Sequence, residues 1–180
     1  MQSQENAYSR TVFCRRCFVA AGALALCFLM PAACGSPGAG ATDTRNAEFT
    51  MDVANAGERL FHELEFRDRL EELDSPVVCA ILGIDGEDAV AQKNYFSSGA
   101  TAEEIIVFQA RDSETLAILR SALEARLEYQ KEIYAAYAPE EVRYLQGAVL
   151  REKGVYLIYC VAADAEKAEE LTEKLFTERE

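Results

Sequence analysis

An uncharged apolar segment near the N-terminus divides the chain into a short leader and a long acidic body, and only the body has the composition of a globular domain. Arg10, Arg15 and Arg16 precede a run of small and apolar residues, CFVAAGALALCFLMPAAC, which covers residues 17–34. A basic stretch followed by an apolar one is typical of an export signal. We therefore predict a signal peptide over residues 1–33, with the export route, general secretory or twin-arginine, left open.

The end of the apolar segment resembles the lipobox of bacterial lipoprotein signals, in which small residues precede a cysteine that becomes acylated. Here Pro31, Ala32 and Ala33 precede Cys34, although a lipobox usually has leucine where Pro31 stands. We predict Cys34 as the lipidated residue, so that the N-terminal lipid holds the protein at the outer face of the bacterial cytoplasmic membrane. Two alternatives stay open, an uncleaved membrane anchor and secretion without any anchor.

The rest of the chain reads as a tether followed by one acidic domain. Residues 34–46 are rich in Gly, Ala, Ser, Thr and Pro and show no apolar periodicity, so we expect a flexible tether there and a single domain over residues 47–180. The whole chain of 180 residues has 18 Lys and Arg against 31 Asp and Glu, a net charge of -13. Such a surface repels a phosphate backbone, so nucleic acid is excluded as a partner.

Hydrophobic periodicity in the body predicts an α+β domain, in the order helices, then two strands and a helix, then two strands and a helix. Predicted helices cover residues 52–65 and 76–82, a long segment from 112 or 113 to Pro139, a short turn at 140–145 and a last segment at 164–176. Predicted strands cover residues 90–96, 105–110, 148–151 and 155–162. These elements indicate a four-stranded, mainly antiparallel sheet with helices packed on one face, a two-layer sandwich.

The sequence contains no motif of a common catalytic machinery. His62 is the only histidine, and no nucleophile elbow, P-loop or dinucleotide-binding motif occurs. The acidic turn Asp85-Gly86-Glu87-Asp88 lacks the spacing of an EF-hand loop. We therefore predict no catalytic residues, no metal site and no cofactor, and expect a protein that is not an enzyme.

The loop between the first two predicted strands is the best candidate for a binding site. It combines hydroxyl groups, carboxylates and a glycine that permits unusual backbone angles. The candidate binding residues are Ser97, Ser98, Gly99, Thr101, Glu103 and Glu104. The alternative is that Gly99 only shapes the hairpin. A second candidate is an aromatic group near the end of the long helix, Tyr129, Tyr134, Tyr137 and Tyr144, which suits an interface or the rim of a core equally well.

Two cysteines, Cys79 and Cys160, remain in the body once the leader and the lipidated residue are set aside. An oxidising compartment would allow a disulfide between them. Each also lies in an apolar stretch, where a buried free thiol is common. The sequence leaves these two alternatives open.

Several segments of the body resemble one known family. They are GID at residues 83–85, SSGATAEEIIVFQA at residues 97–110, the long amphipathic helix, and the final hairpin and helix. Together they resemble the uncharacterised bacterial lipoproteins grouped as a domain of unknown function. The resemblance implies a lipoprotein signal and a small α+β domain, and it assigns no activity and no catalytic residues.

These features lead to one functional expectation and two alternatives. We expect a lipid-anchored, non-enzymatic module at the bacterial cell envelope that binds a partner protein, another envelope component or a small ligand. A carboxylate-dependent hydrolase acting on cell-wall glycan is one alternative, because the chain is acidic and carries a predicted export signal. A calcium-modulated module is the other.

Overall fold

The computed structural model describes residues 49–178. The predicted signal peptide, Cys34 and the whole tether region lie outside these residues, as does the start of the predicted domain. The helices are α1 (Val53–Glu63), α2 (Ser75–Leu82), α3 (Ser113–Tyr137), α4 (Val142–Gln146) and α5 (Ala165–Thr177). The strands are β1 (Glu71–Glu72), β2 (Ala89–Phe96), β3 (Glu104–Ala110), β4 (Val149–Lys153) and β5 (Tyr156–Val161). The α+β class and the predicted order of these elements are confirmed, apart from β1.

Polar caps and left-handed glycines set the ends of several elements, as the sequence predicts. The Asp52 carboxylate accepts hydrogen bonds from the first turn of α1, and Asp112 forms a capping box with Thr115 at the start of α3. Gly83 ends α2 at φ 67°, and Gly154 turns the β4–β5 hairpin at φ 62°. Glycine adopts these positive φ angles at little cost because it has no Cβ.

The sheet has five strands in the order β1-β2-β3-β5-β4, and every neighbouring pair is antiparallel. The prediction of four strands is therefore wrong by one. The additional strand, β1, consists of Glu71 and Glu72, which pair with Phe96 and Tyr95 at the end of β2. Two exposed glutamates carry no strand signal in the sequence, so only pairing with β2 reveals this element.

Helices cover both faces of the sheet, so the predicted arrangement with helices on one face is wrong. On one face α1 and α5 pack against Ile105, Val107, Ile158 and Cys160. On the other face α2, α3 and α4 pack over a second set of strand residues, which comprises Ile106, Phe108, Leu157, Tyr159 and Val161. The domain thus has three layers and two hydrophobic cores, because the central strands β3 and β5 are buried on both sides.

Within residues 49–178, no helix combines the length and the apolar composition needed to cross a membrane.

Candidate functional site

The predicted binding loop, residues 97–104, is held in place by its own hydroxyl groups and by Asp68. The Ser97 hydroxyl donates to the carbonyl of Thr101 at 2.6 Å, and the Ser98 hydroxyl donates to the Asp68 carboxylate at 2.6 Å. Gly99 has φ 92°, which makes glycine the favoured residue at the turn. Ser98 and Gly99 are exposed, whereas Ser97 and Thr101 are partly covered.

Two tyrosines at the end of α3 hold the same loop from outside. The Tyr134 hydroxyl donates to the carbonyls of Thr101 and Gly99, and the Tyr137 hydroxyl donates to the Gly99 carbonyl at 3.2 Å. Burial raises the pKa of Tyr134, so this phenol remains a hydrogen-bond donor. These bonds hold the carbonyls of Gly99 and Thr101 against the long helix.

Glu103 points into the interior and holds the segment that precedes β1. Its carboxylate accepts hydrogen bonds from the backbone N–H groups of Arg67 and Asp68 at 3.0 Å, and from the Thr101 hydroxyl at 3.0 Å. The Arg67 Nε atom lies 3.2 Å from the same carboxylate. Because these donors occupy the buried carboxylate, Glu103 connects two segments of the fold and presents no free oxygen at the surface.

Arg67 also pairs with a second buried carboxylate, Glu141. The guanidinium donates through both terminal nitrogens to Glu141, at 2.6 and 2.7 Å, and the backbone N–H of Ala102 donates to Glu141 at 2.9 Å. The Arg67 guanidinium stacks on the Tyr144 ring at 3.6 Å. Hydrogen bonds from Arg67 hold the pKa of Glu141 below its usual range. Arg67 therefore joins the segment before β1 to the loop of residues 97–104 and to the residues just before α4.

Glu104, the first residue of β3, forms a third buried ion pair with Arg126 of α3. The guanidinium donates through Nε at 2.9 Å and through Nη2 at 2.6 Å. Complete burial raises the pKa of Glu104, and the adjacent guanidinium opposes that shift. Burial works against the charge of Arg126 too, but the hydrogen bonds and charge of Glu104 outweigh it and raise the pKa of Arg126. This pair joins the sheet to the long helix.

The predicted loop site consequently divides into an internal and an external part. Glu103 and Glu104 are occupied by guanidinium and N–H donors and stabilise the fold. The external part consists of Ser97, Ser98, Gly99 and Thr101. An open depression of about 240 Å³ lies beside it, lined by Asp68, Arg69, Glu71, Leu73, Phe96, Ser97 and Ser98.

Both cysteines of the body are buried free thiols, so the structure does not contain the disulfide considered from the sequence. They lie on opposite faces of the sheet. Cys79 approaches Gln92, whose strand partner Phe108 belongs to the core under α3. Cys160 belongs to the core under α1 and α5. Burial raises the pKa of Cys160 to about 12, so this thiol is a poor nucleophile.

The acidic turn after α2 is engaged in local contacts. Asp85 accepts a hydrogen bond from the Glu87 backbone N–H at 3.1 Å, and Asp88 lies 3.9 Å from Arg111. In the described part of the chain, no three His, Cys, Asp or Glu side chains come together as a metal-binding group.

An apolar surface formed by α2 and α3 is the most developed external feature of residues 49–178. Seven large hydrophobic side chains are exposed in this range, and six of them lie on these two helices. They are Val77 and Ile81 on α2, and Ile118, Tyr129, Ile133 and Tyr137 on α3. Tyr129 is the most exposed of the six, at 62%. Exposed apolar side chains concentrated in one area are typical of interaction sites.

A cleft of about 320 Å³ lies at the centre of this surface. It is lined by Ile81, Leu82, Ala122, Ala125, Arg126 and Tyr129. Three further residues each lie one helical turn from a residue of the cleft and so extend it. They are Val77, one turn before Ile81; Ile118, one turn before Ala122; and Ile133, one turn after Tyr129. We call Val77, Ile81, Leu82, Ile118, Ala122, Ala125, Tyr129 and Ile133 together the α2–α3 surface.

Sequence reasoning missed the α2–α3 surface, although α3 carries a signal for it. The stripe used to predict α3 comprises Leu116, Leu119, Leu123, Leu127 and Tyr134 and packs on the sheet. A second stripe, formed by Ile118, Ala122, Ala125, Tyr129 and Ile133, recurs at steps of four, three, four and four. A helix with a second apolar stripe on its outer side has more apolar surface than one sheet can cover.

The four tyrosines proposed as one aromatic cluster occupy three different places. The ring centroids of Tyr134 and Tyr137 lie 5.0 Å apart, and both hydroxyls donate to the Gly99 carbonyl in the loop of residues 97–104. Tyr144 stacks on Arg67, and Tyr129 lines the cleft. Tyr129 is therefore the member whose ring belongs to the α2–α3 surface.

The fold and its external features define a small α+β sandwich with an apolar surface between two helices. The model of the family Domain of unknown function (DUF4358) matches residues 64–162, and this chain belongs to that family. The matched segment contains all five strands, α2, α3, α4 and the whole α2–α3 surface, whereas α1 and α5 lie outside it. No curated protein and no solved structure matches the chain significantly.

Proposed function

We propose that this protein is a lipid-anchored, non-enzymatic interaction module at the outer face of the bacterial cytoplasmic membrane, and that it binds a partner protein of the cell envelope through the α2–α3 surface. The observation that carries the proposal is the concentration of exposed apolar side chains on α2 and α3. Leaving such side chains in water is unfavourable, and a bound partner removes them from it. The predicted leader and Cys34 support the anchored location.

The buried carboxylates favour binding over hydrolysis. Glycan hydrolysis needs two carboxyl groups about 5–9.5 Å apart on either side of a substrate cleft. Glu103 and Glu141 are both bonded to Arg67, and Glu104 is bonded to Arg126, so the buried carboxylates at the loop already have cationic partners. The cleft on the α2–α3 surface, in contrast, is lined by apolar side chains and Arg126.

The interaction is tested by site-specific photocrosslinking on intact cells. A photoreactive amino acid replaces Tyr129 in one variant and Glu166 in the control, because Glu166 is exposed on α5 at the other face of the sheet. We expect a discrete crosslinked product from position 129 that disappears when Ile133→Glu is added, and no such product from position 166. Equal products from both positions, or none from position 129, would contradict the proposal.

The anchor is tested separately in the same cells. Cys34→Ser should abolish incorporation of a fatty-acid analogue and release the protein from the membrane fraction, because a lipid holds it there. Cys27→Ser, in the same apolar segment, serves as the matched control and should leave both unchanged. A Cys34→Ser protein that stays labelled in the membrane would show that another residue carries the attachment.

A further inference from the structure

The geometry of the α2–α3 surface selects the secondary structure of its occupant. The cleft is lined by residues of α2 and α3 alone, and these helices pack against each other. A groove between two packed helices accepts the ridge of a third helix. Strand addition would instead need an exposed sheet edge, and no strand lines the cleft. The stripe from Ile118 to Ile133 is about 22 Å long at 1.5 Å per residue, the length of about four helical turns.

The rim of the surface is acidic. Glu114, Glu128 and Glu132 are exposed on α3, each within one turn of a residue of the apolar stripe. The exposed Asp85 and Glu87 lie in the turn after α2, which contacts both α2 and α3. Opposite charges across an interface steer association and fix its orientation. The rim therefore favours a partner that carries positive charge beside its apolar ridge.

The nearby cations neutralise only part of this rim, and Arg111 donates to the Glu87 carbonyl at 3.2 Å in the turn after α2. The Arg126 guanidinium reaches inward to Glu104 at 2.6 Å. Lys131 pairs with Glu128 at 2.9 Å, and Arg120 turns away to Glu124 and to Glu152 of β4. The chain as a whole has a net charge of -13.

The same charges argue against a second copy of this chain as the occupant. Two copies meeting through their α2–α3 surfaces would bring acidic rims together, and like charges facing each other oppose association. We propose that the α2–α3 surface binds an amphipathic helix of another protein, in which an apolar ridge is flanked by lysine and arginine side chains. This proposal rests on the proposed function and specifies the chemistry of its partner.

The test uses the full chain in nanodiscs of zwitterionic lipid and three fluorescent synthetic peptides of about four helical turns. The first has an apolar ridge with lysine flanks, the second has the same ridge with glutamate flanks, and the third has the composition of the first in an order without helical periodicity. Fluorescence anisotropy measures their affinities. We expect the first peptide to bind at least about tenfold more tightly than the others, and more weakly as salt is raised.

Variants separate the apolar and electrostatic contributions. Tyr129→Ser should weaken binding of the lysine-flanked peptide by about tenfold or more, because Tyr129 lines the cleft. Glu132→Lys should reduce the preference for lysine over glutamate flanks, whereas Glu166→Lys on α5 should leave it unchanged. Each variant is first checked for an unchanged unfolding midpoint.

The outcomes distinguish this proposal from the proposed function. Equal binding of the lysine- and glutamate-flanked peptides overturns the charge preference and leaves the interaction function intact. Concentration-dependent dimers that Tyr129→Ser abolishes would make a second copy the occupant and overturn the proposal. Crosslinking from position 129 without binding of either helical peptide overturns the proposal that the partner is a helix, and leaves the proposed interaction function intact. Failure of both crosslinking and peptide binding overturns both.

Discussion

At the scale of single residues, buried charges connect the segments around the candidate loop. Arg126 holds Glu104, while Arg67 holds both Glu103 and Glu141. A buried ion pair need not stabilise a fold more than apolar packing would, but removing one partner leaves a buried charge without compensation. Variants that delete only the arginine should therefore cost more stability than variants that neutralise the whole pair.

We expect Arg126→Met to lower the free energy of unfolding by about 3–5 kcal/mol, because it leaves Glu104 buried without its cation. Urea unfolding of the full chain at neutral pH measures this loss. The double variant Arg126→Met with Glu104→Gln should recover a large part of it. Arg120→Met on the same helix is the matched control, and its exposed pairs with Glu124 and Glu152 predict a loss below about 1 kcal/mol. Equal losses for the two arginine variants would contradict this role.

The Arg67–Glu141 pair predicts a dependence of stability on pH. Since Arg67 lowers the pKa of Glu141 in the folded protein, the ionised carboxylate stabilises the fold fully above its usual pKa of 4.5. That contribution disappears as the pH falls through the lowered pKa. Glu141→Gln should therefore cost about 1–3 kcal/mol at neutral pH and progressively less below pH 4.5.

Chemical unfolding of wild type and Glu141→Gln between pH 7 and about pH 2.5 measures this difference. Glu140→Gln is the control, because Glu140 is the exposed neighbour of Glu141. A difference between wild type and Glu141→Gln that stays constant over the whole range would show that the carboxylate charge does not cause it.

At the scale of elements, close packing decides which residues a helix tolerates. Gly57 lies on the buried side of α1, where the Lys93 side chain of β2 crosses the helix. A Cβ at position 57 would lie 2.5 Å from the Lys93 Cγ. The lysine stem can approach α1 because residue 57 has no side chain.

Gly57→Ala should destabilise the protein by about 1–3 kcal/mol through this overlap, although alanine is favoured over glycine in an exposed helix by about 1 kcal/mol. Urea unfolding measures the change. Gly86→Ala provides the comparison, since its Cβ would meet no atom within 4 Å and its φ is not positive. A stabilised Gly57→Ala variant would mean that the lysine stem moves away at little cost.

The strands illustrate how far an element can be predicted from its own sequence. The apolar runs in β3 and β5, IIVF and YLIYCV, indicate strands, and both strands were predicted within two residues of their ends. Such continuous runs also indicate that both faces of a strand are buried. The prediction of helices on one face of the sheet does not take this signal into account. β1 carries no comparable signal, because its two glutamates are exposed and form a strand only through β2.

At the scale of the whole molecule, the residues that hold the fold are separate from those that form its apolar surface. Leu119 of α3 is fully buried in the core, whereas Tyr129 on the same helix is exposed. Tyr129→Ala should change the free energy of unfolding by no more than about 0.5 kcal/mol. Leu119→Ala should lower it by about 2–5 kcal/mol through the cavity that it leaves.

Thermal and urea unfolding of both variants test this separation. If Tyr129→Ala destabilises the full chain as much as Leu119→Ala does, the tyrosine contributes to the core and the α2–α3 surface loses its most exposed member. An unchanged stability allows any loss of binding in a Tyr129 variant to be assigned to the surface itself.

Cys160 reports on opening of the whole sheet, because it lies in the central strand β5. Its burial and its pKa of about 12 predict negligible alkylation at pH 8 in the native protein. Mass spectrometry of the peptide that contains Cys160 measures alkylation as urea is increased, and we expect it to follow global unfolding. Rapid alkylation without urea would contradict a closed sheet. The variant Ser98→Cys, which places a cysteine at an exposed position of the loop, serves as the comparison for alkylation.

The sequence alone determines the local features of this protein. Caps, periodic apolar residues and turn glycines act over a few neighbours, so they predict the helices, four of the strands and the α+β class. The basic and apolar leader before Cys34 likewise predicts export and lipidation from adjacent residues, and both stay predictions. The hydroxyls and glycine at residues 97–99 also mark a loop from local signals.

Tertiary structure alone decides the features that depend on distant residues. The sequence places Glu103 and Glu104 in a polar loop. In the fold both are buried, and they pair with arginines of other segments, Glu103 with Arg67 and Glu104 with Arg126. The two-sided core depends on which face of the sheet each helix covers, and periodicity does not specify that. The α2–α3 surface likewise exists because α2 packs beside α3 while the second stripe of α3 stays exposed. Burial and exposure are properties of the assembled molecule, since they depend on what the rest of the chain covers.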